Sequence, residues 1–477
     1  MKKLVFLMLF AIPLVGAQLP HVKAEEVGFS AERLKRIHQM LQRRIDAGDI
    51  SGAVTLVARN GRVAYFETHG SMDIETKKPM ASDAIFRMAS MSKPITGVAI
   101  MMLMEEGKVR LTDPVSRFIP EFKGIKVAVA RQSTPAPAGA NQATPASPQF
   151  YTVPADREIT IRDLLTHTSG LVSGPMSTSE AAKVARKPGE TLADYIPRLG
   201  ALPLEFQPGS QWRYSPGAGF DTLGRIVEIV SGQTFDVFLK QRIFEPLGMK
   251  DTFFSPTEDR IPRLASVYQK TTRGLEKQAD PGPTKYFSGA GGLRGTAEDY
   301  ALFGQMLVNG GQLNGKRLLS PRAVELMGSI FVPDTLPGRP RGEGFGLSVR
   351  VVADAAARGT WLSNGSFGWS GAFGTHFWVD PKQKMVVGFA WYRPQQWQRV
   401  RDISSDADDL EENYEAWLRL AESKLIELRG AGLRVEKIDV NSEELVLWCN
   451  EHGLELNAQA RSRYAAEKVR DLDANHA

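Results

Sequence analysis

The chain has 477 residues, 42% of them hydrophobic, a formal net charge of +5 and one cysteine, Cys449. That is more apolar material than one small core needs, so one large soluble domain or two to three smaller ones are expected. With no dense Lys/Arg run the footprint of a nucleic-acid binder is excluded, and a lone cysteine excludes an internal disulfide or a Cys-pair metal site.

In chain order, Lys2 and Lys3 precede an apolar run from Leu4 to Val15 broken only by Pro13, and Val15-Gly16-Ala17 follows as a small-residue cleavage site. This reads as an export signal and leader over residues 1–24, with the mature protein periplasmic or secreted. The run is short for a membrane span and no later stretch reaches 18 apolar residues, so no span is expected. Phe29 to Ala47 carries apolar residues at helical spacing behind Ser30, a plausible cap. AVTLVARNGRVAYFETHG (53–70) predicts a β-hairpin, because Asn60-Gly61 suits a turn in which both central residues need positive φ. Ile95 to Met104 is almost wholly apolar and predicts a buried helix.

Residues 131–156 are rich in Pro, Ala, Ser and Thr and predict a flexible, solvated insertion. GFGLSVRVV (344–352), GTHFWV (374–379) and KMVVGFAWY (384–392) predict strands of an antiparallel meander. Early and late strands with helices between them give the α+β class. Residues 25–398 are therefore assigned to one main domain. Residues 399–477 hold 11 Lys+Arg and 18 Asp+Glu and no proline, net −7 against +12 for what precedes them. Asp406 to Leu428 and Glu443 to Arg470 predict helices, so this segment reads as an acidic helical appendage.

The chemistry is concentrated in RMASMSKPITG (87–97). A serine hydroxyl is a poor nucleophile until a base takes its proton, and a lysine does so only as the neutral amine. Residues three apart on a helix share a face while adjacent ones diverge. Ser90 can therefore meet Lys93, and Ser92 cannot. The helix behind them puts Ser90 at an N-terminus, where developing negative charge is favoured, and Pro94 costs little near the helix start. The plainer reading of such a pair is a helix cap followed by a solvated lysine. Against it, this lysine leads straight into a buried run, where an unpaired ammonium is costly.

With FRMASMSKPIT, EEGKVRLTDPVSRFIPEF (105–122), ITIRDLLTHTSGL (159–171), FQPGSQWRYSPGAGFDTLGRIVE (206–228) and GGLRGTAEDYALFGQML (291–307) in this order, the chain resembles the serine β-lactamase-like hydrolases. Within them it is most similar to the class C β-lactamases and the family VIII carboxylesterases, over roughly residues 28–395. The resemblance implies a β-lactamase/transpeptidase-like fold: an antiparallel sheet flanked by helices, plus an all-α lobe, with the site in the cleft between them. It implies Ser90 as nucleophile and Lys93 as base. Tyr214 in Tyr214-Ser215-Pro216 stands for the family's Tyr-x-Asn tyrosine and relays a proton if a neighbouring ammonium lowers its pKa. Pro216 replaces the Asn and has no side-chain amide to offer.

Trp369-Ser370-Gly371 stands for the Lys-Thr-Gly of β-lactamases, with Trp369 and Gly371 expected at the substrate and the Ala372 N–H joining that of Ser90 in an oxyanion hole. Trp369 also removes the cation that would meet a substrate carboxylate. With Phe373, Phe377 and Trp378 on the strand that follows, an apolar rim is expected. The implied activity is hydrolysis of carboxylic esters, with short chains favoured, through an acyl-enzyme; the substrate is a small ester or amide, and no metal or organic cofactor is implied.

The alternatives within the fold are a β-lactamase, a D-amino-acid peptidase or DD-carboxypeptidase, and a non-catalytic sensor that is only acylated. Outside it, no serine fits the G-x-S-x-G of an α/β-hydrolase; Gly368-Trp369-Ser370-Gly371-Ala372 fails at its last position. Seven histidines are scattered without HExxH or H-x-x-x-H, which argues against a catalytic zinc site. His167 and His376 read as structural.

Overall fold

A computed structural model of the chain describes residues 18–131, 149–271 and 273–391. The segments read from the sequence as an export signal and an acidic appendage, and most of the Pro/Ala-rich stretch, lie outside the described residues. The chain divides into two units. In the second, the described residues form a hairpin pairing Tyr268–Thr271 with Gly274–Lys277.

Helix α1 (Ala31–Asp46) starts where expected, with Ser30 Oγ accepting from the Arg33 N–H. Its apolar face, Ile37, Met40, Leu41 and Ile45, packs against Ile50 and Ala53. Strands β1 (Gly52–Arg59) and β2 (Arg62–Asp73) form the predicted hairpin. Asn60 and Gly61 both take positive φ, 53° and 72°, as a tight turn of this hand requires.

The main sheet also contains β3 (Lys78–Pro79), β4 (Glu343–Phe345), β5 (Arg350–Val352), β6 (Phe367–Ser370), β7 (Thr375–Asp380) and β8 (Met385–Trp391). Its order is β4-β5-β6-β7-β8-β1-β2-β3, antiparallel throughout. The last strand thus pairs with the first, so the two ends of the domain share one ladder. The segment 344–352 is not one strand. It breaks at Gly346–Val349, where the Gly346 N–H bonds the Val349 carbonyl and Ser348 has a φ of 68°.

That turn packs directly on helix α2 (Ser92–Glu105), which is buried from Ser92 to Leu103. A Cβ on Gly97 would lie 2.0 Å from Ser348 Oγ, so only glycine permits this approach. Helix α3 (Ala218–Ser231) carries the buried face Phe220, Leu223, Ile226 and Val227 into the same core. Helix α4 (Ala297–Val308) brings Leu302, Phe303 and Met306 to it, and its Gly304 approaches Val386 of β8.

Two expectations are corrected here. The helical lobe is not all-α, because Lys126–Ala130 pairs antiparallel with Phe150–Pro154. The insertion is accordingly narrower than 131–156: Phe150, Tyr151, Thr152 and Val153 are strand-favouring residues whose pull the composition of the whole stretch conceals. Among the described residues no helix is long and apolar enough to cross a membrane.

Candidate active site

Ser90 sits in a single 3-10 turn, Ala89–Met91, that leads into α2. Ala89 has a φ of 46°, a left-handed conformation unusual for a non-glycine residue. One turn later Lys93 is fully buried. Its Nζ donates to the carbonyls of Pro216 at 2.8 Å and Ala290 at 2.9 Å, and lies 3.1 Å from Ser90 Oγ.

The two carbonyls can only accept, and a neutral amine has two N–H bonds and one lone pair. Matching the N–H bonds to the carbonyls leaves the lone pair for the Ser90 hydroxyl. Burial pushes Lys93 down from 10.5 to about 7, with the Asp221 carboxylate pulling the other way. The neutral amine is therefore well populated near neutral pH.

Tyr214 OH lies 2.6 Å from Ser90 Oγ, which closes the constellation. Here the sequence-based condition of a lowered phenol is not met. Burial raises the Tyr214 phenol above its usual value, against the hydrogen bond from Ser90 that lowers it. Tyr214 is thus a neutral O–H donor and acceptor, and Lys93 is the group that titrates.

Lys93 is held in place by residues that sequence reasoning missed. Asp221 on α3 accepts from Tyr286 OH (2.8 Å), Ser288 Oγ (2.6 Å) and the Ala290 N–H (3.0 Å), which holds the loop whose Ala290 carbonyl receives Lys93. The same loop is tied to α2 by Thr96 Oγ1 to the Gly289 carbonyl (2.7 Å) and by the Leu293 N–H to Ser92 Oγ (3.1 Å). Ser92 is therefore a buried tether, turned away from Lys93 as the helical spacing requires. The available signal was Asp221 itself, an acid set between Gly-Phe and Thr-Leu on the apolar face of the helix, which must find donors when buried.

His167 packs against Tyr214. Its Nδ1 accepts the Ser215 N–H at 3.2 Å, while the buried Nε2 has no hydrogen-bond partner among the described residues. Burial holds the ring neutral, well below its usual range. With a φ of 58° it is placed among Trp212, Tyr214, Phe220, Phe345 and Trp369, with ring centroids 4.7–6.2 Å away. It supports Tyr214 from beneath.

The Trp-Ser-Gly element ends β6, and Ala372 follows in the exposed turn to β7. The Gly371 N–H is committed to the Thr375 carbonyl at 2.7 Å, so this residue is not a substrate donor. Its function is closeness: a Cβ there would stand 2.2 Å from both the Met88 carbonyl and Thr375 Oγ1. Thr375 Oγ1 in turn donates to the Met88 carbonyl at 2.8 Å, which ties the start of β7 to the segment just before Ser90.

Trp369 is also corrected. It is only 6% exposed, packed against Tyr214, His167 and Phe345, and is a wall rather than a contact surface. The rim is less aromatic than expected, since Phe377 and Trp378 are buried and only Phe373 is partly open, beside Arg87. Nor is positive charge absent from this side. Arg350 lies 5.0 Å over the Trp369 ring, and with Arg339 and Arg358 it surrounds the single carboxylate of Glu343.

Ser370 offers a second serine–histidine pair, with its Oγ 2.6 Å from His376 Nδ1. The Trp378 indole N–H donates to His376 Nε2. An indole can only donate, so Nε2 accepts and the imidazole proton sits on Nδ1, facing Ser370. In that tautomer His376 cannot take the proton of Ser370.

A profile of the family described as Beta-lactamase matches residues 37–409. That match runs past residue 398, into the stretch assigned from composition to the appendage. An uncharacterized protein of Mycobacterium tuberculosis is 36% identical over 383 residues, which cover 76% of this chain and 89% of that one. Esterase EstB of Burkholderia gladioli is 29% identical over 396 residues, 74% of this chain and 88% of its own. Among solved structures, EstCE1, described as a hydrolase with promiscuous acyltransferase activity, superimposes with a TM-score of 0.63 at 29% identity, over 77% of this chain and 93% of its own.

Proposed function

The chain belongs to the Beta-lactamase family, and from that premise we propose that it is a serine hydrolase cleaving carboxylic esters through an acyl-enzyme on Ser90. The observation that carries this is Lys93: two carbonyls occupy its N–H bonds and its third neighbour is the Ser90 hydroxyl. Similarity to Esterase EstB supports the choice of ester over amide.

In the reaction Ser90 Oγ attacks the ester carbonyl while its proton passes to Lys93 Nζ. The N–H groups of Ser90 and Ala372 hold the oxyanion. Lys93 and Tyr214 carry the proton on to the leaving alkoxide, which departs as the alcohol. A water then attacks the acyl group by the reverse proton path, which releases the acid and restores Ser90–H. Close hydrogen-bond geometry and a base that titrates near neutral pH are what general-base catalysis needs.

Short, uncharged acyl groups are the preferred substrates in this reading. Pro216 gives its carbonyl to Lys93 and has no side-chain amide for a peptide or lactam, and Trp369 fills the place of the family's lysine. A screen of purified protein against nitrophenyl acetate, butyrate and octanoate, nitrocefin and a D-amino-acid amide tests it. Turnover of the short esters that is lost in Ser90→Ala supports the reading; preferred cleavage of nitrocefin or the amide, or an acyl adduct without turnover, overturns it. Export to the periplasm or medium is part of the proposal. It is supported by the Lys2–Lys3, Leu4–Val15 and Gly16-Ala17 pattern, and is tested by whether the secreted fraction carries the protein with a new N-terminus near Ala17.

A further inference from the structure

We propose that His38, Glu67 and His69 form a binding site for a divalent transition metal, best matched by Zn2+, outside the Ser90 site. Glu67 and His69 are two apart on β2 and so point to the same face of the sheet. Helix α1 covers that face and supplies His38. One donor atom from each of the three residues lies within 4.8 Å of the other two.

Tetrahedral zinc with ligands at about 2.0–2.1 Å places its donor atoms about 3.3 Å apart. The His38 Nδ1 to Glu67 Oε2 separation is 3.3 Å, so one edge of that polyhedron already exists. The third ligand is the telling one. His69 is 3% exposed, and neither of its ring nitrogens has a hydrogen-bond partner among the described residues. A buried polar group left without a partner is costly and uncommon, and a metal bond removes the cost on one side of the ring.

The surroundings suit a ligand set. Tyr65 OH donates to Glu67 Oε2 at 2.9 Å, the kind of outer hydrogen bond that orients a ligating carboxylate. Thr55, opposite Glu67 in the β1–β2 register, is buried on the same side, with a hydroxyl that has no partner among the described residues. The side chains of His38 and Glu67 are 53% and 46% exposed, so an ion can enter from solvent and a water can complete the coordination. Two imidazole nitrogens and one carboxylate select a borderline cation over Mg2+ or Ca2+, which prefer all-oxygen sites.

The test is calorimetric titration of the tag-free, chelator-treated full chain with ZnCl2, with MgCl2 in parallel, and a thermal melt with and without Zn2+. The wild type is expected to bind Zn2+ with a Kd in the micromolar range or below and to melt higher with it, with no response to Mg2+. His38→Ala and Glu67→Gln change exposed positions and should fold. Each should weaken that event by at least about tenfold and abolish the thermal shift. Zn2+ binding and thermal shift unchanged in both variants would place the ion elsewhere, for instance at His452 or His476, and overturn the proposal. So would a wild type that takes up no Zn2+ at millimolar concentration, or that responds equally to Mg2+.

Discussion

Titrating the enzyme between pH 5.5 and 8.5 should switch hydrolysis on through Lys93. The amine acts as a base only when deprotonated, so activity rises as pH rises. With Lys93 near 7, about a tenth of the enzyme is competent at pH 6, half at pH 7 and about nine tenths at pH 8. A lysine at its ordinary 10.5 would leave only about one molecule in 3,000 neutral at pH 7, a difference of about 5 kcal/mol in favour of the neutral form. Burial supplies that difference here.

The assay is kcat/KM for nitrophenyl acetate, read at the isosbestic wavelength of nitrophenol, because this parameter reports the ionisations of the free enzyme. A single ascending limb with its midpoint near pH 7 is expected. In Tyr214→Phe the plateau should fall by about 10²-fold or more, with the limb in place, since the buried phenol titrates above its usual value. A flat profile, a midpoint at pH 9 or above, or a limb that vanishes in Tyr214→Phe would refute the assignment of Lys93 as the titrating base.

Other outcomes follow from the same contacts. Ser92→Ala should keep most of the turnover but leave the Leu293 N–H without its acceptor, which lowers stability by about 1–3 kcal/mol; chemical denaturation and kcat/KM check the two halves separately. Gly371→Ala should lower kcat by about 10²-fold while the protein still folds, because the added Cβ pushes the Ala372 turn away from the Ser90 segment; kinetics beside a melting curve separate the effects. Losing a charge-assisted hydrogen bond to a substrate carboxylate should cost about 2 kcal/mol, or about thirtyfold in binding. Nitrocefin should therefore be a poorer substrate than nitrophenyl butyrate, and parity in kcat/KM would contradict that.

What could be read from the sequence was local. The Asn60-Gly61 hairpin, the Ser30 cap and the buried α2 are set by neighbouring residues, as is the shared face of Ser90 and Lys93. The misreadings concern features created by distant packing. The break at Ser348 exists because α2 approaches at Gly97, and Trp369 is buried because Phe345 and His167 close on it. The Asp221 hub joins residues more than 60 positions apart in sequence. His38 and His69 lie on different elements, so a search for closely spaced histidine motifs passes over them.

The central claim is that the acyl group is carried on Ser90. Its most direct test is peptide mapping by mass spectrometry after brief acid quenching of the enzyme with nitrophenyl butyrate, beside a fluorophosphonate-labelled sample. The account predicts a butyryl adduct and the phosphonate label on the peptide containing Ser90, both absent from Ser90→Ala. Label on Ser92 or on Ser370 beside His376, or ester turnover that persists in Ser90→Ala, would contradict it.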